Sequence, residues 1–174
     1  VIQRLLTSPL SLRKVATCLI GVLITFSVLQ PSSSVHAHSL PSTKTYQRIG
    51  TISIKKLHVS AIIYVGITDD VFDRGVGQWP GSAQPGQLGN LVVGGHRTAG
   101  SRPFFNIDTL RGGDIISISV GVQTFTYVVT GHSIVKPTSM WIIKPTASAT
   151  LTLFSCHPKG KVTSRYVVRA VLKS

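Results

Sequence analysis

The chain has 174 residues and 18 Lys and Arg against 5 acids, all of them Asp, for a formal net charge of +13. Its Gly, Pro, Val, Ile and Thr content favours one β-rich domain with many turns, and leaves too few residues for two cores once the N-terminal targeting-type segment is set aside. The positive field fits an anionic membrane or wall polymer. Nucleic acid is disfavoured as a partner, because the basic residues are scattered and form neither a helical stripe nor an aromatic-flanked patch.

In chain order, residues 1–30 read as an export signal or membrane anchor. Val15–Leu29 is apolar and uncharged, with Arg4, Arg13 and Lys14 ahead of it, the charge order that leaves the remainder on the extracytoplasmic face. Fifteen residues are short for a full span, and Val35-His36-Ala37 resembles a small-residue cleavage site, so an anchored and a cleaved form are both open. Residues 31–48, rich in Ser, Pro and Thr, read as a linker. His36 and His38 there lack the further ligands a metal site needs, and no metal or cofactor is expected.

Residues 49–174 read as the functional domain. Strands are expected at Gly50–Ile54, Ala61–Val65, Asn90–Gly94, Ile115–Val120, Gln123–Thr130, Ser133–Val135, Thr150–Cys156 and Arg165–Leu172, with short helices at Asp70–Arg74 and Phe104–Leu110. Gly112-Gly113-Asp114 and Val120-Gly121 supply turns between them. Eight short strands at this spacing suit a closed barrel or a sandwich, and periodicity does not separate the two.

Of two cysteines, Cys18 falls in the apolar N-terminal run, which leaves Cys156 as a lone thiol in an exported domain and marks it as a candidate reactive group. Cys156 ends the run Thr150–Cys156 just before His157-Pro158, where proline stops the ladder. Alternation puts it on the face of Thr152 and Phe154. If the next strand returns as a hairpin, Arg165 comes back beside Cys156, where a guanidinium favours thiolate and can donate to an oxyanion. Thiolate chemistry also needs an acid for the leaving amine. Among six histidines, His96 is preferred, since it ends the apolar run Asn90–Gly95 after two glycines. His157 is a poor direct partner of Cys156 because neighbours on an extended chain point apart, and it reads as a rim residue touching substrate. No acid stands out as an orienting third member; Asp108 and Asp114, the acids after His96, are not assigned that role.

These residues resemble those of a known family. Thr152-Leu153-Phe154-Ser155-Cys156 is similar to the Thr-Leu-x-Thr-Cys signature of the sortases, with Ser155 for the usual Thr. Val93-Gly94-Gly95-His96-Arg97 is similar to the segment carrying the family's histidine, and Arg165 matches its arginine. Trp79-Pro80-Gly81-Ser82-Ala83, followed by Pro85-Gly86 and Gly89-Asn90, also resembles the stretch before that histidine. The resemblance covers about Ile49 to Ala170. Its short loops are closer to the class D and class E branches than to the housekeeping type, with class E favoured.

The resemblance implies an all-β, closed eight-stranded barrel with one or two short helices. It also implies a cysteine transpeptidase with Cys156 as nucleophile, His96 as acid/base and Arg165 as stabilising cation, and with Thr152, Ser155 and His157 toward the substrate. The thiolate attacks the Thr–Gly carbonyl of a C-terminal sorting signal of the Leu-Pro-x-Thr-Gly or Leu-Ala-x-Thr-Gly kind. The thioacyl enzyme then passes the surface protein to an amine of a peptidoglycan precursor or a pilin. Hydrolysis at the same site, and a non-catalytic basic β-domain adhering to anionic wall polymer, remain open. An L,D-transpeptidase is disfavoured because the Ser-His-Gly segment of that group is absent.

Overall fold

The computed structural model describes residues 44–173. Eight strands close on themselves: β1 (Arg48–Ile54), β2 (Val59–Val65), β3 (Val76–Gln78), β4 (Gly89–Gly94), β5 (Ile115–Val120), β6 (Gln123–Val135), β7 (Ala149–His157) and β8 (Ser164–Leu172). Around the barrel they run β1-β2-β3-β4-β7-β8-β6-β5, with β5 returning to β1. Pairing is antiparallel except at β2–β3 and β4–β7. One short helix, α1 (Asp69–Phe72), carries the chain across from β2 to β3. Among the described residues, closure leaves no free sheet edge.

The barrel's filling follows from strand alternation. Ile52, Ile54, Ile63, Leu91, Val93, Ile116 and Ile118 point inward, as do Leu151, Leu153, Val168 and Ala170 from β7 and β8. The segment after β4 adds Phe104, Ile107 and Leu110, each fully buried in the same core. Their spacing of three reads as a helix at the level of sequence. The structure forms successive turns there, with a 3-10 turn only at Ile107–Thr109, because a three-residue repeat suits the tighter winding as well.

Three further differences from the sequence expectation have physical causes. β6 is one strand of 13 residues where two were expected. Its pairing with β8 shifts register between Val129 and Gly131, so the Gly131-His132 interruption is a bulge within a continuous strand. β3 carries no alternation, being three residues with a central glycine and buried throughout. Residues 44–48, read from composition as the end of a linker, contact the domain. The Val65 amide donates to the Gln47 carbonyl at 2.9 Å, the Tyr46 and Tyr64 rings meet edge to face, and Lys44 and Tyr46 both reach the Asp70 carboxylate. These bonds, Lys44 foremost, hold the Asp70 carboxyl well below the usual carboxylate range. The expected anchor at 15–29, with Cys18, His36 and His38, lies outside the described residues. No helix among the described residues is long and apolar enough to cross a membrane.

A buried amide fixes the loop joining β6 to β7. Asn90 on β4 donates through Nδ2 to the carbonyls of Ile142 (2.9 Å) and Lys144 (3.1 Å), and its Oδ1 accepts from Thr152 Oγ1 at 2.7 Å. Asn90→Ala orphans all three groups and is expected to cost about 2–3 kcal/mol in urea unfolding, whereas Thr152→Val, which removes one bond, should cost about 1 kcal/mol.

Candidate active site

The strongest consequence of the topology is that β4 and β7 are parallel neighbours, paired from Gly89↔Ala149 to Gly94↔Phe154. The residues that follow each strand therefore emerge at the same end of the barrel. His96 lies two residues beyond β4 and Cys156 near the end of β7. The antiparallel β7–β8 hairpin pairs Cys156 directly with Arg165. All three side chains line one cleft of about 660 Å³.

Local packing sets each of them. A Cβ on Gly94 would run into the Phe154 ring, and one on Gly95 would lie 2.9 Å from the Phe104 ring, so the glycine pair admits two aromatic rings against the backbone. The Gly95 amide donates to the Phe154 carbonyl at 3.2 Å, and the His96 carbonyl accepts from the Phe104 amide at 3.2 Å. The His96 ring meets Phe72 edge to face at 5.5 Å, and its Nε2 lies 3.1 Å from Asp73 Oδ1. Cys156 is half-buried and is the one cysteine among the described residues. One terminal nitrogen of Arg165 donates to the carbonyls of Val162 (3.1 Å) and Ser164 (3.0 Å), which ties the guanidinium to the loop between β7 and β8 while the rest of the fork stays unbonded to protein among the described residues.

The cleft walls are mostly apolar. Phe154 forms the floor with Trp79 packed edge to face upon it. Pro137, Met140, Ile142 and Ile143 from the β6–β7 loop make one side, and Ile67 and Phe72 by α1 the other. Met140 and Val162 at the lip are exposed. Such a groove suits an extended peptide with apolar residues, and its polar groups gather at the Cys156 end.

Of the six residues singled out in the sequence, Cys156, His96, Arg165 and Ser155 line this cleft, and Thr152 and His157 do not. Thr152 is fully buried under the β6–β7 loop and spent on Asn90. His157 alternates to the opposite face from Cys156, against Tyr166, with its Nδ1 accepting from Arg97 at 2.7 Å. Ser155 is 1% exposed, and its hydroxyl has no hydrogen-bond partner among the described residues.

Two features escaped the sequence reading. Arg97 is 2% exposed yet charged. Its guanidinium pairs with Asp108 at 2.6 Å, bonds His157, lies 3.4 Å from the carbonyls of Phe105 and Cys156, and sits over the Tyr166 ring. Burial pushes the Tyr166 hydroxyl up from its ordinary pKa. The other feature is Asp73, 23 residues ahead of His96, which only the α1 crossover brings into contact with it. A polar residue following an Asp-Asp helix start was the sole local signal, and it reads equally as a helix end.

Comparison with known proteins agrees with this geometry. The sortase domain model matches residues 52–173. Sortase D of Bacillus subtilis (strain 168) is 28% identical over 129 residues, covering 72% of this chain; the chain spans 64% of that protein's length. Among solved structures, a Clostridium perfringens sortase D5 transpeptidase is similar at 30% identity with a TM-score of 0.67, covering 73% of this chain and 79% of that one. A lid mutant of sortase A from Corynebacterium diphtheriae is similar at 28% identity with a TM-score of 0.71, covering 77% and 74%. A family model spanning most of the domain, on a barrel of the same architecture with a thiol, an imidazole and a guanidinium around one cleft, leads to one conclusion: the chain belongs to the sortase family.

Proposed function

We propose that this domain is a cysteine transpeptidase that cuts a C-terminal sorting signal between Thr and Gly and joins the new carboxyl end to an amine. The observation that carries the reading is the single cleft shared by Cys156, His96 and Arg165. The Cys156 thiolate attacks the threonine carbonyl carbon, and the negative charge that develops on its oxygen is met by the free part of the Arg165 fork. His96 protonates the departing glycine amine, leaving a thioacyl enzyme. An incoming amine then attacks the thioester, His96 takes its proton, and the thiolate is released. The apolar walls favour the Leu-Pro or Leu-Ala portion of a Leu-Pro-x-Thr-Gly or Leu-Ala-x-Thr-Gly signal. The acceptor is an amine of the cell wall or of a pilin. Ser155 borders the reacting end of the cleft, but at 1% exposed its side chain offers the peptide almost no surface. The sortase D names of two relatives support the D branch over the E branch. The apolar segment 15–29 supports a membrane-held domain on the extracytoplasmic face.

The test is mass spectrometry of the protein with each peptide, with and without a diamine. The expected results are an acyl adduct on the thiol that contains the peptide up to threonine, and an amide product when amine is present. Absence of both refutes the reading, and a free-acid product in the presence of saturating amine marks a hydrolase. Arg165→Lys keeps the charge and loses the planar fork; kcat/KM for adduct formation should fall by about 100-fold. Near-normal turnover in that variant counts against the oxyanion role.

A further inference from the structure

We infer that Asp73 is a positioning residue for His96, holding the imidazole in the tautomer and orientation that the reaction needs; the inference rests on the transpeptidase reading above. Nε2 of His96 lies 3.1 Å from Asp73 Oδ1. A carboxylate oxygen only accepts, so Nε2 carries the hydrogen, and Nδ1 becomes the nitrogen that exchanges a proton with thiol and amine. The ring has two fixed neighbours, the Asp73 carboxylate at Nε2 and the Phe72 ring in a T-shaped contact at 5.5 Å and 71°.

The support beneath Asp73 is rigid. Its amide donates to the Asp69 carbonyl at 2.8 Å, and the following turn is closed by Gly75 to Val71. Val71 is buried. The loop after His96 packs closely here too: a Cβ on Gly100, at φ +54, would sit 3.2 Å from Asp73 Oδ1 and 3.7 Å from the His96 ring. The other charged or titratable groups bordering the cleft are Asp69 from the start of α1, Cys156 from β7, Lys161 from the β7–β8 loop, Arg165 from β8 and Arg97, which is spent on Asp108. Asp70 is committed to Lys44, Tyr46 and Thr68, and of the three carboxylates at 69, 70 and 73, Asp73 is the one within bonding distance of the ring.

Asp73 is 61% exposed, so Asp73→Ala leaves the fold intact, which thermal melting checks. Two measurements read the role. Nitrogen NMR of the His96 ring should show hydrogen on Nε2 in the wild type and a mixed tautomer in Asp73→Ala. The kcat for thioacyl formation should fall about five- to tenfold with KM within twofold, and Asp73→Glu should return most of it. Wild-type kcat in Asp73→Ala overturns the inference, and so does an unchanged tautomer, even where kcat falls. If the wild-type protein forms no acyl adduct, the transpeptidase reading fails, and the tautomer measurement alone decides whether Asp73 orients the ring.

Discussion

Replacing Cys156 with alanine removes adduct formation and lowers turnover of a sorting-signal peptide by about 10⁴-fold or more, the scale seen when a covalent nucleophile is deleted. The barrel has little at stake in that sulfur. Cys156 is half-buried and unbridged, its main-chain pairing with Arg165 does not depend on the side chain, and the residues that fill the core from β7 are Leu151 and Leu153. The melting temperature should therefore stay within about 3 °C of wild type, since less than 1 kcal/mol is involved. Loss of turnover with an unchanged melt assigns the effect to chemistry. Retained peptide cleavage would move the nucleophile elsewhere and end the thioacyl mechanism.

The second large effect lies on the other face of β7. Asp108→Ala should destabilise the domain by about 3 kcal/mol, at the low end for breaking a buried ion pair because Asp108 itself is partly exposed. The Arg97 side chain is 1% exposed, so without its counter-charge a guanidinium stays buried with two long carbonyl contacts, the His157 ring and the face of Tyr166, none of which carries a negative charge. A loss of that size lowers the melting temperature by about 10 °C. Arg97→Met in the Asp108→Ala background should recover much of it, since an apolar side chain of similar length removes the stranded charge. A melt of Asp108→Ala within 2–3 °C of wild type would show that water reaches Arg97 readily and that the pair contributes little.

How far the sequence could be read follows from what each residue leans on. Strands with a clean in-out alternation, such as Ile115–Val120, and the hairpin return of Arg165 to Cys156, depend on neighbours in the chain and were legible. β3 was not: its three buried residues owe their extended form to pairing with β2 and β4. The expected total of eight strands arose from splitting β6 at its bulge and omitting β3, so closure into a barrel rested on resemblance and not on counting. Cys156, His96 and Arg165 stood out by residue type, and their convergence depends on the β4–β7 adjacency, which no local pattern encodes. Thr152 and His157, which the family resemblance directs toward substrate, are bonded in the structure to Asn90 of the neighbouring strand and to the buried Arg97. Asp73 carries no local signal of its role, because it lies 23 residues ahead of His96 and only the β2–β3 crossover brings the two together.

The parallel pairing of β4 and β7 also separates the reaction centre from the length of the chain between its parts. Imidazole and thiol are delivered by two adjacent rails that end together, so the excursion that runs from one to the other through β5 and β6 has no say in their spacing. Its far turn, where Val122 stands fully in solvent, is the place where evolution or an engineer can splice in new sequence while the reacting atoms keep their frame.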